Sequence, residues 1–355
     1  MKSTNNSRAL RAQAGLSMIE LLVALAIGSF LIIGAVTLQS QTRRTFDVNE
    51  QQARLQENAR YVLALMEPDL QLAGLYGYSQ DPNTVMWQNG SDLTPPSDLR
   101  MASATAPGLP GSLRSCGDNF AVDVLGTVVA TDGVFDLACA AEGGGHVVGT
   151  DVIVMRHSAP GQVDPDASKL QVFSERVSAQ TNTRLFIGSD PPDPIVDDER
   201  EVRDMVVKAY YIAVNSDANL NVPTLRVKTL ATDGASPVFI DQELIPGVED
   251  LQVQFGVDPG DDTDGNGIPD DPGGDGMADF VNGYAAQYVS AGDPLLDSAQ
   301  VVAVRVWIRV RSELPERGFV DGRRYEYAGV DFTPNDNFRR VLMSRTIYLR
   351  NSRQQ

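Results

Sequence analysis

The chain has 355 residues and a formal net charge of −18, from 29 Lys and Arg against 47 Asp and Glu. That length exceeds one typical domain and leaves room for a large core. The acidic balance argues against nucleic-acid binding, which draws on clustered Lys and Arg, and suits solubility outside the cell or cation binding. Two histidines, with no G-x-S-x-G elbow, no phosphate loop and no zinc-ligand spacing, argue against an enzyme.

The first element is a short polar leader carrying Lys2, Arg8 and Arg11 and no acid, so that the chain without residues 1–15 has a charge near −21. Gly15 to Leu38 follows as a run of apolar or small residues interrupted by one charge, Glu20. At 1.5 Å per residue such a run is long enough to cross a bilayer as a helix. A carboxylate near its start costs roughly 2.5–3.5 kcal/mol on insertion scales, so it calls for a purpose and a partner. A secretory signal peptide would have a shorter apolar core and a small-x-small cleavage site, and none follows before Gln39. An uncleaved signal anchor with its basic end in the cytoplasm accounts for the span and its orientation but leaves Glu20 unexplained.

Residues 39–67 are rich in helix formers and contain neither Gly nor Pro. Leu55, Ala59, Val62, Met66 and Leu70 recur at spacings of three and four, an amphipathic stripe. The pattern predicts one helix from about Leu16 to about Glu67, apolar all round and then one-faced, which Pro68 would kink or end, with Gly74 as a stop. The domain reading is a leader (1–15), a membrane helix (16–38), an amphipathic helical half (39–74) and a β-rich head (75–355).

Within the head, Val122–Val129, Val147–Arg156, Val206–Val214, Leu225–Leu230, Leu251–Val257, Val301–Arg311 and Val341–Leu349 read as strands. Val302, Val304, Val306, Ile308 and Val310 fall on one face of their strand, with Arg305, Arg309 and Arg311 opposite. That pattern predicts a half-buried antiparallel sheet in an α+β arrangement. Residues 79–119 and 189–200 read as loops. Cys116 and Cys139, the two cysteines, lie on the side of the span assigned to the periplasm. There they would form a disulfide worth roughly 3 kcal/mol, or else stand as two buried thiols. Gly143-Gly144-Gly145-His146 reads as a turn rather than an oxyanion-binding run.

Residues 258–279 hold eight Asp and six Gly and no Lys, Arg or Glu. Asp262, Asp264, Asn266 and Asp270 fall at positions 1, 3, 5 and 9 of a calcium loop, with Gly267 at 6 and the carbonyl of Ile268 at 7. Position 12 is Gly273 rather than the bidentate Glu of an EF-hand, so Asp275 or Asp279 would have to complete the shell. The alternative is a solvated turn.

The stretch Gly15-Leu16-Ser17-Met18-Ile19-Glu20 resembles the processing site of type IV prepilins, although that family most often has Phe where this chain has Leu16. The resemblance implies cleavage after Gly15 by a prepilin peptidase on the cytoplasmic side and N-methylation of Leu16. It makes Glu20 the fifth residue of the mature chain, a subunit-assembly contact paired with the new terminal amine of its own or a neighbouring subunit. Further stretches resemble the PilW family of minor pilins: 57–61 with 72–74, 248–258, 301–312, 325–329 and 339–351. What they imply is a pilin-like lollipop in which the long helix packs on an antiparallel β-sheet head. Its implied role is that of a structural subunit at the pilus tip or in the complex that primes assembly, held in the inner membrane of a Gram-negative bacterium with its head in the periplasm. The implied partners are other major and minor pilins, the prepilin peptidase, the inner-membrane assembly platform and membrane lipid. A minor pseudopilin of a type II secretion system shares the same leader, helix and glutamate, and a tip adhesin or calcium-dependent binding module is compatible with either.

Overall fold

The computed structural model describes residues 17–100, 105–177, 180–192, 199–260 and 283–351. In chain order the elements are α1 (Met18–Leu72), β1 (Val85–Asn89), β2 (Asp92–Thr94), α2 (Pro96–Arg100), β3 (Val128–Thr131), β4 (Val152–Ser158), β5 (Gln171–Val177), β6 (Gln180–Phe186), β7 (Arg200–Ala213) and β8 (Thr224–Thr232). They continue with β9 (Pro237–Pro246), β10 (Val248–Asp258), β11 (Gln287–Ser290), β12 (Gln300–Arg311), β13 (Tyr325–Tyr327), β14 (Val330–Phe332) and β15 (Arg340–Tyr348). Short 3₁₀ turns lie at 82–84, 111–114 and 294–297. The chain divides into two units, Met1–Ala53 and Arg54–Gln355.

In the second unit the nine-stranded sheet runs β2-β1-β6-β5-β7-β4-β3, with β8 paired to β7 and β9 to β8. A four-stranded sheet runs β11-β10-β12-β15, and β13 pairs with β14 alone. Pairing is antiparallel throughout except between β1 and β6, which are parallel. The α+β expectation therefore holds. Of the stripe predicted on the helix, Leu55, Ala59, Val62, Met66 and Leu70 are all buried, and Leu63 joins them. They enter one core with Ile153, Met155 and Ile212 of the large sheet and Val253, Phe255, Val304 and Val306 of the small one. Each fully buried Leu, Val or Met is worth about 1.5–3 kcal/mol relative to exposure. A second core gathers Tyr76, Trp87, Leu113, Val122, Val172 and Leu185. Asp151 ties the two sheets, its N–H donating to the Leu251 carbonyl at 2.8 Å and its Oδ2 accepting from Val253 N at 2.7 Å.

Several expectations need correction. Pro68 does not end α1, which continues to Leu72. Tertiary contacts hold the last turn: Asp69 and Leu70 are buried, and the Asn351 amide reaches the carbonyls of Gln71, Leu72 and Ala73 at 3.3–3.5 Å. Gly74 then turns out of the helix at φ +80°, as a terminating glycine does. The strand expected at 122–129 begins only at Val128, because Val122 and Asp123 donate to the Asn119 carbonyl in a turn whose apolar side chains fill the second core. Residues 147–151 also turn, with Thr150 N donating to Val147 O, so that strand starts at Val152. The segment 79–119 holds β1, β2 and α2 rather than loop alone. The arginine face of β12 is not open to solvent: Arg309 is 6% exposed beneath the β13–β14 hairpin, its guanidinium 4.0 Å from the Phe332 ring centroid.

Asp69 is the polar centre of the contact between helix and sheet. It is 7% exposed and receives Lys208 Nζ at 2.9 Å, Tyr210 OH at 2.9 Å and His157 Nε2 at 3.3 Å. Burial pushes its carboxyl up, but the hydrogen bonds from His157, Lys208 and Tyr210 and the Lys208 charge outweigh it and hold the group below its ordinary value. Asp69→Ala strands Lys208 and should lower head stability by about 3–5 kcal/mol in denaturant titrations. Because the folded carboxyl is depressed, its stabilising contribution is complete above the ordinary carboxylate range. It should fade as pH falls below about 4, a loss absent from the variant.

Cys116 and Cys139, 23 residues apart, form a disulfide. Replacing both with Ser should cost about 3 kcal/mol of stability by the same assay, with reductant then having no further effect.

Candidate functional site

The first unit contains a helix whose hydroxyls bond within the helix and whose apolar side chains are exposed. From Met18 to Leu38 every residue except Gly28 is exposed. The hydroxyls along the helix are turned inward: Ser29 donates to Ala26 O at 2.9 Å, Thr37 to Ile33 O at 2.8 Å and Thr42 to Leu38 O at 2.9 Å. Hydroxyls satisfied by their own backbone are compatible with an apolar surrounding. Ser17, just before the first helical residue, accepts from Glu20 N through its backbone carbonyl at 3.0 Å and its hydroxyl at 3.4 Å. The spacing Ser17-Met18-Ile19-Glu20 is that of a capping box, with Glu20 in the first turn, where the helix dipole favours an anion. Sequence reasoning took Glu20 for its charge and missed this cap, although the S-x-x-E spacing displays it. Gly15 and Leu16 lie outside the described residues.

The proposed calcium ligands Asp262, Asp264, Asn266, Ile268 and Asp270, with Asp275 and Asp279, also lie outside the described residues. At the mouth of that segment stands Asp258, the last residue of β10 and 2% exposed. Its Oδ1 accepts from Gly260 N at 3.1 Å and its Oδ2 from Gly283 N at 2.7 Å, so one carboxylate draws the two ends together. Among the described residues no group of three or more His, Cys, Asp or Glu is placed to share a metal ion.

The glycine run at 143–145 is a turn. Gly143, Gly144 and Gly145 have φ of +65°, +80° and +101°. The carbonyls of Gly143 and Gly145 accept from Asn215 N and Val214 N. An added Cβ at Gly143 would stand 2.6 Å from the Asn215 carbonyl, which fixes the need for glycine. His146 Nε2 lies 3.0 Å from the Thr150 hydroxyl.

The segments singled out in the C-terminal half converge on one buried charged cluster. Arg309 Nε donates to Glu249 Oε1 at 2.6 Å and its NH1 lies 3.2 Å from Asp250 Oδ2. Arg340 donates to the same Glu249 oxygen at 2.6 Å and to Asp336 Oδ1 at 2.6 Å. The Tyr327 hydroxyl bridges Asp250 and Arg309. Burial pushes the Asp250 carboxyl up despite Arg309 and Tyr327 beside it. Stretches 248–258, 301–312, 325–329 and 339–351 thus each give a member to one network, and Asn351 also caps the helix. Such fully bonded buried networks fix register among elements more than they add net stability.

Comparison with known proteins gives two separate matches. Residues 209–351 match the family model described as type IV pilus-assembly protein W (PilW). Residues 10–36 match the prokaryotic N-terminal methylation motif. No curated protein matches the chain. Among solved structures, a type IV-like pilin from Thermus thermophilus is 16% identical over 52% of this chain and 85% of its own, with a TM-score of 0.21, too low to bear on the architecture. With the methylation motif over the start of its apolar helix and a PilW domain over β8–β15, the chain is a type IV pilin-like protein with a PilW domain.

Proposed function

We propose that the chain is a minor pilin of a type IV pilus, held in the inner membrane by the apolar segment 16–38 with its head in the periplasm, then drawn into the filament. The single observation that carries this reading is the apolar helix from Met18 to Leu38, uncovered along its length and bearing one carboxylate, under a methylation-motif match. A helix of 21 residues spans roughly 31 Å, the thickness of a bilayer's hydrocarbon core. Lipid covers it before assembly, and the like helices of other major and minor pilins cover it afterwards. A prepilin peptidase cuts between Gly15 and Leu16, and the assembly platform receives the product.

Glu20 then meets the new N-terminal amine. In low dielectric, amine and carboxylate each lose several kcal/mol of desolvation cost by pairing, so the pair enforces register between subunits. The work of the chain is polymer assembly rather than catalysis, in keeping with its structural family.

We further assign the segment 261–279 to a weak calcium site, supported by its ligand spacing and by the Asp258 clamp that brings its ends together. With an affinity in the 10⁻⁴–10⁻³ M range, 10 mM calcium would raise head stability by roughly 1.4–2.7 kcal/mol. Chelator should reverse that gain, and Asp264→Asn with Asp270→Asn should abolish it in thermal melts.

Gly15→Phe should leave full-length precursor in the membrane on immunoblots; normal processing would refute the cleavage assignment. Glu20→Val should be processed as the parent chain is, yet be depleted from sheared filaments relative to membranes by about tenfold or more, the effect of losing a buried charge partner.

A further inference from the structure

Strand β3 is an edge strand with an open side. Among the described residues it pairs with β4 alone, and its register is Val128 with Met155, Val129 with Val154, Ala130 with Ile153 and Thr131 with Val152. Just before it, Arg156 N donates to Thr127 O at 2.9 Å, which makes 127/156 a hydrogen-bonded pair. Antiparallel pairs alternate, so Val129 and Thr131 turn their N–H and C=O groups to β4 while Val128 and Ala130 turn theirs away. Among the described residues no donor or acceptor meets the outward groups of Val128 and Ala130.

Those groups face a groove of about 500 Å³. Its apolar lining includes Phe255, Leu296, Val301 and Leu349, and among the described residues its charged lining is Asp293 and Asp297 with Arg100. Exposed sheet edges are usually protected by charge, proline or a bulge. The long strand β15 carries a partly exposed charge, Arg345, paired with Glu67. β3, with the sequence Val-Val-Ala-Thr, has no such protection.

We propose that the open edge of β3 is a strand-addition site, which takes an extended segment of another subunit in which apolar residues alternate with Lys or Arg. Its backbone would pair with Val128 and Ala130 over about 13 Å, its apolar side chains would fill the groove, and its cations would meet Asp293 and Asp297. A second copy of this chain is a poor donor, since two chains of charge −18 repel. That the donor is a fellow filament subunit rests on the minor-pilin reading; the strand addition itself does not.

The test places a photo-crosslinking benzoylphenylalanine at Val129 of the full chain in cells, and maps the adduct by mass spectrometry. The expected adduct joins an alternating apolar and basic segment of a different subunit. Ala130→Pro removes only an outward N–H, because that residue makes no bond to β4. It should cut the adduct by about tenfold or more while leaving the melting temperature near that of the parent. If Ala130→Pro fails to fold, Asp297→Lys decides: it repels a basic donor and should also deplete the adduct. An adduct within the same chain or between two copies, no adduct, or one unchanged in the folded variants would overturn the proposal. A mapped donor of the expected kind that never enters filaments would keep the site and discard the minor-pilin reading.

Discussion

Water's exclusion of the helix from Met18 to Leu38 is the constraint on which the rest depends. Its residues are uncovered but for Gly28, and nearly all are apolar or small. At about 25 cal/mol per Å² of apolar surface, such a helix has no stable state in solvent. It is long and apolar enough to cross a membrane, consistent with cover by lipid or by other helices. The inward-turned hydroxyls of Ser29, Thr37 and Thr42 suit either cover, because they ask nothing of the surroundings. Glu20 differs: its backbone is capped by Ser17, and its carboxylate sets the demand for a partner.

The second half of the same helix meets the opposite condition. Its apolar stripe is enclosed by strands of both sheets, and Asp69 is bonded from three sides by Lys208, Tyr210 and His157. A buried carboxylate of this kind adds little net stability, since desolvation offsets its bonds. It penalises any slide of the helix along the sheet, because a shift by one turn would bury the charge unpaired. The Glu249–Arg309–Arg340 cluster plays the same part for β10, β12, β15 and the hairpin laid over them. Asn351, at the close of the W-domain match, joins that part of the chain to the end of α1.

Legibility in the sequence followed periodicity. The helical stripe from Leu55 to Leu70 and the alternating face of β12 were readable because one side of each element meets a continuous apolar core. The Cys116–Cys139 pair was readable because the chain has two cysteines, 23 residues apart, and they bond to each other. β5 and β6 were missed: Gln-Thr-Asn-Thr-Arg-Leu-Phe has no clean alternation, since Thr183 is buried through a hydrogen bond to Ser174 rather than through apolar contact. The opposite error came at 122–125, where Val122 and Val124 are apolar because a turn presses them into a core. Asp69, the capping role of Ser17 and the burial of Arg309 depend on partners from 3 to 141 residues away, and only the Ser17 cap has a local signature.

The central claim is that the apolar helix from Met18 to Leu38 becomes the core of a filament once the leader is cut after Gly15. N-terminal mass spectrometry of the chain recovered from sheared filaments tests it most directly. The account predicts a first residue of Leu16 carrying an N-methyl group, in filaments that also contain other pilins. A filament-free chain retaining residues 1–15, or a mature end beyond Leu38, would contradict it.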